Sequence, residues 1–284
     1  MSRYLITGAS GMLGRDLQHA LAGRHVTSLG RADLDVTDAD AVRSATAGHD
    51  VIINAAAYTR VDDAETHEDE AFAVNATGAR NLARAVAENA ARLVQISTDY
   101  VFDGSAREPY PEDTPYTPIS AYGRTKAEGE RLALLEHPDG TYVVRTAWTY
   151  GAYASNFAKT MLKLAKSKDS WGVVDDQIGQ PTWTGDLARQ IVMLIDAGAP
   201  TGIYHGTNSG HASWFDFARA VLDVSGLDQE RITRTDSSQF IRPAARPAYS
   251  VLGHEAWRTA GLAPMRDWRE ALDEAARTGA LDIS

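Results

Sequence analysis

The run Thr7-Gly8-Ala9-Ser10-Gly11-Met12-Leu13-Gly14 lies between a short apolar segment, residues 4–7, and a helical pattern over residues 13–22. Its glycines repeat as Gly-x-x-Gly-x-x-Gly. Gly8 suits the tight turn after a strand, Gly11 allows the backbone to approach a pyrophosphate, and Gly14 allows the helix to pack closely on the strand. The helix N-terminus adds free N–H groups and a partial positive charge. The run therefore predicts a strand, a phosphate-binding turn and a helix, although a glycine-rich turn without a ligand has the same residue types.

The first half of the chain alternates short apolar runs with longer helical patterns. The strand-like runs are residues 4–7, 25–29, 51–55, 93–97 and 142–145, and the helical patterns are residues 13–22, 39–47, 70–89 and 122–135. This alternation predicts a parallel sheet covered by helices on both faces. Such sheets bind ligands beyond the carboxyl ends of their strands. The predicted fold class is α/β, a Rossmann-type doubly wound parallel sheet with a smaller α/β domain for the substrate.

The regular alternation weakens after residue 150. Helical patterns cover residues 156–166, 184–196 and 213–224, a strand-like run covers 202–206, and an arginine- and proline-rich segment covers 241–247. We predict a dinucleotide-binding domain of residues 1–150 plus roughly 178–210, and a substrate-binding domain of residues 151–177 and 211–284.

Composition excludes several classes of function. The net charge of −10 argues against nucleic acid or an anionic membrane as the main partner. The chain has no cysteine, which excludes disulfides, a thiolate nucleophile and cysteine-bound zinc. The eight histidines show no ligand spacing, and we predict no metal site from them. We expect a cytoplasmic protein, since residues 1–10 lack the features of a leader and no apolar stretch approaches a membrane span.

The end of the second strand-like run bears on the choice of nicotinamide dinucleotide. A site for NAD usually has an acid there, which bonds the ribose hydroxyls of the adenosine. This chain has Ser28-Leu29-Gly30-Arg31, and an arginine suits the 2′-phosphate of NADPH. We predict NADPH as the cofactor. NADH stays an alternative because Asp33 and Asp35 follow closely, and Arg31 itself has the alternative of an exposed loop arginine.

The third strand-like run ends in Asn54-Ala55-Ala56-Ala57-Tyr58. Small side chains at the end of a parallel strand leave room for a cofactor against the sheet, although a packed strand end has the same composition. We predict cofactor contacts by Ala56, Ala57 and Tyr58.

The run Tyr122-Gly123-Arg124-Thr125-Lys126 carries the predicted chemistry. A tyrosine and a lysine four residues apart project from one face of a helix. A neighbouring ammonium lowers the pKa of a phenol from its usual value near 10, so that the phenol exchanges a proton near neutral pH. Tyr122 is the predicted acid/base, and Lys126 is its partner. General acid–base catalysis of this kind contributes a factor of about 10²–10⁴ in rate. The spacing alone is common, and the glycine run at the start of the chain gives it weight.

The glycine spacing resembles that of the extended branch of the short-chain dehydrogenase/reductase superfamily. The resemblance implies a catalytic hydroxyl at Thr98, in the run Ile96-Ser97-Thr98-Asp99-Tyr100, bonded to the substrate carbonyl and to the tyrosine. It implies that Asn75 supports a water leading to the lysine, where a helix-packing amide is the alternative. It places Asp35 and Val36 beside the adenine.

Two sets of residues follow. The predicted catalytic residues are Tyr122, Lys126, Thr98 and Asn75. The predicted cofactor-binding residues are Gly8, Ser10, Gly11, Met12, Leu13, Gly14, Arg31, Asp35, Val36, Ala56, Ala57, Tyr58, Tyr122 and Lys126.

Nearly the whole chain resembles one family, the dTDP-4-dehydrorhamnose reductases and related sugar-nucleotide 4-ketoreductases. The resemblance rests on Ser97-Thr98-Asp99-Tyr100-Val101-Phe102-Asp103-Gly104, on Arg145-Thr146-Ala147-Trp148-Thr149-Tyr150-Gly151, and on Asp176-Gln177-Ile178-Gly179-Gln180-Pro181-Thr182. It implies NADPH-dependent reduction of the C4 ketone of a dTDP-4-dehydro-6-deoxyhexose, with dTDP-4-dehydro-L-rhamnose giving dTDP-L-rhamnose. Some bacterial members form a magnesium-linked dimer, so that a homodimer with Mg²⁺ at its interface is implied as well, although its ligands are not assigned in this chain.

The resemblance also implies a substrate site. Its predicted contacts are Thr98, Asp99, Tyr100, Trp148, Asn156 and Arg246. Trp148 has the alternative of a core aromatic. The arginines at 242 and 246 are expected to approach the pyrophosphate, because an anion on a protein of charge −10 needs local cations.

Two other functions compete with this reading. One is a 4-ketoreductase for a different dTDP-deoxysugar in secondary metabolism. The other is a non-catalytic regulatory subunit that binds cofactor, against which the intact Thr98, Tyr122 and Lys126 argue. The acidic run from Asp62 to Glu70 is interpreted as the solvated start of a helix rather than a metal site.

Overall fold

A computed structural model describes residues 2–283. Its strands are β1 Arg3–Thr7, β2 His25–Leu29, β3 Val51–Asn54, β4 Arg92–Thr98, β5 Thr141–Thr146, β6 Thr149–Tyr150, β7 Trp171–Val174, β8 Ile178–Gly179, β9 Thr182–Trp183, β10 Gly202–His205, β11 Ala212–Ser213 and β12 Ile232–Thr235. Its helices are α1 Met12–Ala20, α2 Ala39–Thr46, α3 Glu68–Phe72, α4 Gly78–Glu88, α5 Ala121–Glu136, α6 Phe157–Ser167, α7 Thr184–Asp196, α8 Trp214–Val224, α9 Glu255–Thr259 and α10 Trp268–Arg277.

Six strands form a parallel sheet in the order β10-β5-β4-β3-β1-β2. The central strand β3 is buried at all four residues, as expected for a strand covered on both faces, whereas the edge strand β2 has no buried residue. The chain runs from β1 outward to β2, and then returns to the other side of β1 to place β3. The crevice between the carboxyl ends of β1 and β3 is therefore the topological switch point, where such sheets bind ligands. This architecture confirms the predicted α/β Rossmann-type fold class.

The sheet has hydrophobic cores on both faces, and one of them includes α7. A further core lies among α6, α8 and α10 and the parallel pair β7–β12. Strands β7 and β12 and helices α9 and α10 were absent from the sequence prediction. Trp257 of α9 packs in the core of the sheet, although the predicted division put residues 211–284 in the substrate domain. The domain boundaries stay a prediction.

The helix predicted over residues 70–89 is interrupted. A π-helical turn, Ala73–Thr77, separates α3 from α4 and contains Asn75. The turn brings the carbonyl of Asn75 against α5, where a Cβ at Gly129 would lie 2.1 Å from that oxygen. The prediction of one continuous helix was wrong because this contact depends on a residue more than fifty positions away.

Within residues 2–283, no helix is both long enough and apolar enough to cross a membrane.

Candidate active site

The glycine run forms a cradle between β1 and α1. Gly8 has φ of +65°, and a Cβ there would lie 2.6 Å from the backbone of Ala55 at the end of β3. A Cβ at Gly14 would lie 2.4 Å from the Gly8 oxygen, so that the close approach of helix and turn requires glycine. The Gly11 N–H donates to the Gly8 oxygen at 3.0 Å and closes the turn. This geometry fits a pyrophosphate at the start of α1.

A cleft of about 900 Å³ opens from this cradle along the carboxyl edge of the sheet. All the residues predicted to bind cofactor line it: Gly8, Ser10, Gly11, Met12, Leu13, Gly14, Arg31, Asp35, Val36, Ala56, Ala57, Tyr58, Tyr122 and Lys126. The cleft thus joins the glycine run to the Tyr–Lys pair in one continuous space. Its shape and its glycine cradle fit a nicotinamide dinucleotide.

The residues expected around the adenosine differ in exposure. Val36 is buried and provides an apolar wall, as predicted. The Asp35 carboxylate accepts hydrogen bonds from Thr37 N at 2.9 Å and from Thr37 Oγ1 at 2.8 Å, which hold its pKa below the usual range. Arg31 is exposed at the rim of the cleft. A carboxylate and a guanidinium therefore both face the position where the cofactor ribose is expected.

Tyr122 and Lys126 lie one turn apart on α5, at the inner end of the cleft. Lys126 is 3% exposed, and its Nζ donates to the Ile96 oxygen of β4 at 2.6 Å. Burial lowers the pKa of Lys126 to about 8, while the charge of Glu130 opposes that shift. Burial raises the pKa of Tyr122, and a hydrogen bond with Thr98 opposes the rise. This direction is the opposite of the one predicted for Tyr122, because burial disfavours the phenolate.

Thr98 ends β4 beside Tyr122. Its Oγ1 donates to Asp99 Oδ1 at 3.0 Å and accepts from Tyr100 N at 3.2 Å, so that it caps a short 3₁₀ turn, Asp99–Val101. Burial raises the pKa of Asp99 to about 6. The Tyr100 ring meets the Tyr122 ring edge to face, with centroids 5.6 Å apart. The turn therefore brings three predicted substrate contacts next to the acid/base.

Asn75 acts on this site through the backbone of its neighbours. Its Oδ1 accepts from Tyr58 N at 2.8 Å, and its Nδ2 donates to the Tyr58 oxygen at 3.2 Å and to Thr125 Oγ1 at 3.0 Å. These contacts join the end of the β3 loop to α5. They make Asn75 a positioning residue, and the water relay implied for it stays a prediction.

Trp148 has a non-glycine left-handed conformation, with φ of +46°. Its indole stacks on Trp214 at a centroid distance of 3.6 Å, and a Cβ at Gly179 would lie 2.5 Å from the Trp148 ring. The indole therefore contacts Trp214 on one face and also lies against the backbone of Gly179. Strained backbone of this kind is typical of functional sites. Trp214 is partly buried and packs against the core of α6, α8 and α10 as well as on Trp148.

Asn156 lines the cleft, whereas Trp148 does not. It caps α6 by accepting from Lys159 N at 3.1 Å, and its Nδ2 donates to the Gly151 oxygen at 2.9 Å. The same Nδ2 lies 3.8 Å from Met12 Sδ, a predicted cofactor contact. Asn156 therefore lies nearer the glycine cradle than its assignment to the substrate implied.

The acidic run after β3 is not simply a solvated helix start. Glu65 Oε1 accepts from Ala121 N at 2.8 Å, and Glu68 forms a two-point ion pair with Arg124 at 2.7 and 2.8 Å. These acids bind the first turn of α5, the helix that carries the Tyr–Lys pair. Helix α3 does begin within this run, with Glu68, Asp69 and Glu70 in its first turn, but the sequence analysis did not predict the partners of Glu65 and Glu68, which lie more than fifty residues away.

Glu130 was missed by the sequence analysis. It lies one turn beyond Lys126 on α5 and is fully buried, as is its ion-pair partner Arg145 at 2.8 Å. The Ser97 hydroxyl of β4 donates to Glu130 as well. Removal of one partner of such a pair typically costs about 3–5 kcal/mol. The spacing Tyr–Lys–Glu at i, i+4 and i+8 on one helix face was the available signal.

No group of three or more Asp, Glu or His side chains in the described part of the chain is arranged to hold a metal ion.

The fold and the site define an oxidoreductase of the short-chain dehydrogenase/reductase class, with the dinucleotide cleft leading to a Thr–Tyr–Lys group. Within that class the chain belongs to the family described as RmlD substrate binding domain, whose model matches residues 2–280.

Similar proteins are named as reductases of dTDP-linked 4-keto sugars. A dTDP-4-dehydrorhamnose reductase of Streptomyces griseus is 50% identical over 280 residues, which cover 96% of this chain and 92% of that protein. A dTDP-4-keto-6-deoxy-D-glucose reductase of Streptomyces niveus is 48% identical, with 96% of each chain covered. The crystal structure of the Bacillus anthracis dTDP-4-dehydrorhamnose reductase in complex with NADP has a TM-score of 0.93 at 38% identity, covering 98% of this chain and 99% of the other. The predicted resemblance is confirmed.

Proposed function

We propose that the protein reduces the C4 ketone of a dTDP-4-dehydro-6-deoxyhexose, with dTDP-4-dehydro-L-rhamnose as substrate and dTDP-L-rhamnose as product. The observation that carries the proposal is the placement of Tyr122 and Lys126 in the cleft that also contains the glycine cradle, with the Thr98 hydroxyl beside Tyr122. The names of the relatives at about half identity supply the substrate class.

NADPH supplies a hydride when it is bound in the cleft. Tyr122 donates its hydroxyl proton to the ketone oxygen, so that one hydride and one proton convert the ketone to an alcohol. The raised pKa of Tyr122 keeps the phenol protonated until it transfers that proton. Lys126, whose pKa of about 8 leaves it largely charged at neutral pH, stabilises the phenolate that remains.

Thr98 orients the substrate oxygen toward Tyr122, and Trp148 offers apolar surface to the sugar. The Bacillus anthracis relative was solved with NADP, and Arg31 at the rim of the cleft supports a preference for NADPH over NADH in this chain. A cytoplasmic location fits this reaction, because NADPH and the sugar nucleotide are both phosphorylated metabolites.

The substrate is tested with purified protein, NADPH and a panel of dTDP- and UDP-linked 4-keto sugars, followed by the stereochemistry of the product. We expect turnover of the dTDP-linked 4-keto-6-deoxyhexoses and none of free sugars. The Tyr122→Phe variant should lose about 10²–10⁴ in turnover, because it lacks the acid/base, and should bind NADPH like the wild type.

Two outcomes decide against the proposal. Near-normal turnover by Tyr122→Phe contradicts the mechanism, and equal activity on free sugars contradicts the nucleotide-sugar assignment. A product with the configuration expected for another deoxysugar identifies the second candidate, for which the Streptomyces niveus relative provides the precedent.

A further inference from the structure

Asp62 joins two distant parts of the chain. It precedes a 3₁₀ turn, Asp63–Glu65, in the segment after β3. Its carboxylate accepts from both terminal nitrogens of Arg246, at 2.8 and 2.9 Å, and from Ala244 N at 3.2 Å. Arg242 Nη1 lies 3.8 Å from the same carboxylate. One acidic side chain thus holds three positions of the segment 242–247, which comes from the C-terminal part of the chain.

This segment lies on the substrate side of the acid/base. The charge of Arg246 acts on the Tyr100 phenol, and Tyr100 contacts the Tyr122 ring. At its other end the segment is pressed against Gly104, where a Cβ would lie 2.5 Å from Pro247 Cα. The segment is therefore fixed at both ends, by Asp62 and by Gly104, next to the predicted sugar contacts.

The charges of Asp62, Arg242 and Arg246 together favour the binding of an anion. Two arginines against one carboxylate leave a net charge of +1 at the site, on a protein of net charge −10. The bond with Arg246 holds the pKa of Asp62 below its usual range, so that the carboxylate stays ionised at neutral pH. Both terminal nitrogens of Arg246 donate to Asp62, whereas the Arg242 side chain is 58% exposed. Arg242 is therefore the more accessible of the two cations.

We propose that Asp62 is a positioning residue for the sugar nucleotide: it fixes Arg246 and the segment 242–247 beside Tyr100, so that the cations meet the pyrophosphate in a preset place. The inference rests on the proposed function, since it takes a nucleoside diphosphate as the ligand. The inference also changes the role predicted for Arg246. Both terminal nitrogens of its guanidinium donate to Asp62, so that Arg246 provides positive charge near the pyrophosphate rather than a two-point hydrogen bond to it.

The test measures binding of dTDP, thymidine and NADPH by titration calorimetry on the full chain. The variants are Asp62→Ala, Asp62→Asn, Arg246→Ala and the double variant Asp62→Ala/Arg246→Ala. We expect Asp62→Ala to weaken dTDP binding about tenfold or more, because the loss of a fixed position for Arg246 and the segment 242–247 outweighs the gain of one positive charge, and to leave thymidine and NADPH binding unchanged. Asp62→Asn, which keeps the size and one acceptor, should lie between the wild type and Asp62→Ala.

The losses of dTDP affinity should be less than additive in the double variant, because Asp62 acts largely through Arg246. Asp69→Ala, which removes an exposed acid from the same run, is the matched control and should bind like the wild type. Wild-type dTDP affinity in Asp62→Ala overturns the inference, and so do additive losses in the double variant or an equal loss of thymidine and NADPH binding. A wild-type protein that binds no dTDP overturns the proposed function and the inference with it.

Discussion

Arg31 is the side chain that we expect to set the preference between NADPH and NADH. It lies exposed at the rim of the cleft after β2, in the place where an acid would bond the ribose hydroxyls of NAD. We expect the wild type to have a higher kcat/KM with NADPH than with NADH, and Arg31→Ala to lose about 10–100-fold of that preference, the size of one charge-assisted contact. Arg107→Ala removes an exposed arginine outside the cleft and should leave the ratio unchanged. Equal efficiency with both cofactors in the wild type contradicts the assignment.

Residue spacing predicted which side chains meet at the site, but not their protonation. The four-residue interval puts Tyr122 and Lys126 on one face of α5, and the cleft contains both. The direction of the Tyr122 pKa depends on burial, and burial is set by the strands and loops around α5. The ion pair of Asp62 was not predicted either, because its partner Arg246 is 184 residues away along the chain and only the fold brings the two together.

At the scale of elements, α5 is held against its neighbours by close backbone contacts. A Cβ at Gly129 would lie 2.1 Å from the Asn75 oxygen in the π-helical turn. We expect Gly129→Ala to destabilise the protein by about 1–3 kcal/mol, because the helix must move away from a backbone atom that cannot yield. The movement should also lower kcat, since displacements of the order of 1 Å at a catalytic pair cost about 10²-fold.

Thermal unfolding and steady-state kinetics check this prediction. The melting temperature should fall by several degrees for a chain of this size. Leu135→Ala, at an exposed position of the same helix, serves as the control and should change neither quantity appreciably. A Gly129→Ala variant with the wild-type melting temperature and kcat would show that α5 and the π-helical turn are not tightly coupled.

Long periodic helices and the strands of the central sheet were predictable, whereas β7 and β12 were not. Helix α7 was predicted at the bounds that the structure has, since thirteen residues carry a clear apolar face. Strands β7 and β12 have four residues each, like β3 and β10, but they pair with each other across the chain and lie outside the alternation of strands and helices that marks the central sheet. The π-helical turn is likewise invisible in the spacing of apolar residues, because it adds a local irregularity to a helix whose two parts remain amphipathic.

At the scale of the whole molecule, two buried histidines link the sheet to the C-terminal part of the chain. His205 ends β10, and its Nδ1 lies 2.8 Å from the Gly253 oxygen. His254 is 8% exposed, with Nε2 at 2.8 Å from the Thr207 hydroxyl. Burial lowers the pKa of both, to about 4 for His254. Each must therefore stay neutral in the folded protein, whereas the unfolded chain protonates it near pH 6.5.

Acid should consequently destabilise the fold through these residues. Between pH 6.5 and about 4 the unfolded chain binds the proton of His254 and the folded protein does not, so that the free energy of unfolding falls as the pH falls. The contribution of His254 is about 2 kcal/mol at pH 5. Asp99, whose pKa of about 6 lies above its usual value, acts in the opposite direction, because the folded protein takes up its proton first. The change of unfolding free energy with pH is therefore the sum of contributions from several groups. The contribution of one histidine is obtained only by comparing a variant that lacks it with the wild type.

His254→Gln provides that comparison, because glutamine keeps a hydrogen-bonding group near the Thr207 hydroxyl and cannot titrate. We expect the loss of unfolding free energy between pH 7.5 and pH 5, measured by urea denaturation, to be about 2 kcal/mol smaller in His254→Gln than in the wild type. His25→Gln changes an exposed histidine on the edge strand β2 and should keep the wild-type pH dependence. Parallel pH curves for the wild type and His254→Gln would show that His254 takes up its proton as readily in the folded protein as in the unfolded chain, and that its burial between the two parts of the molecule has no electrostatic cost.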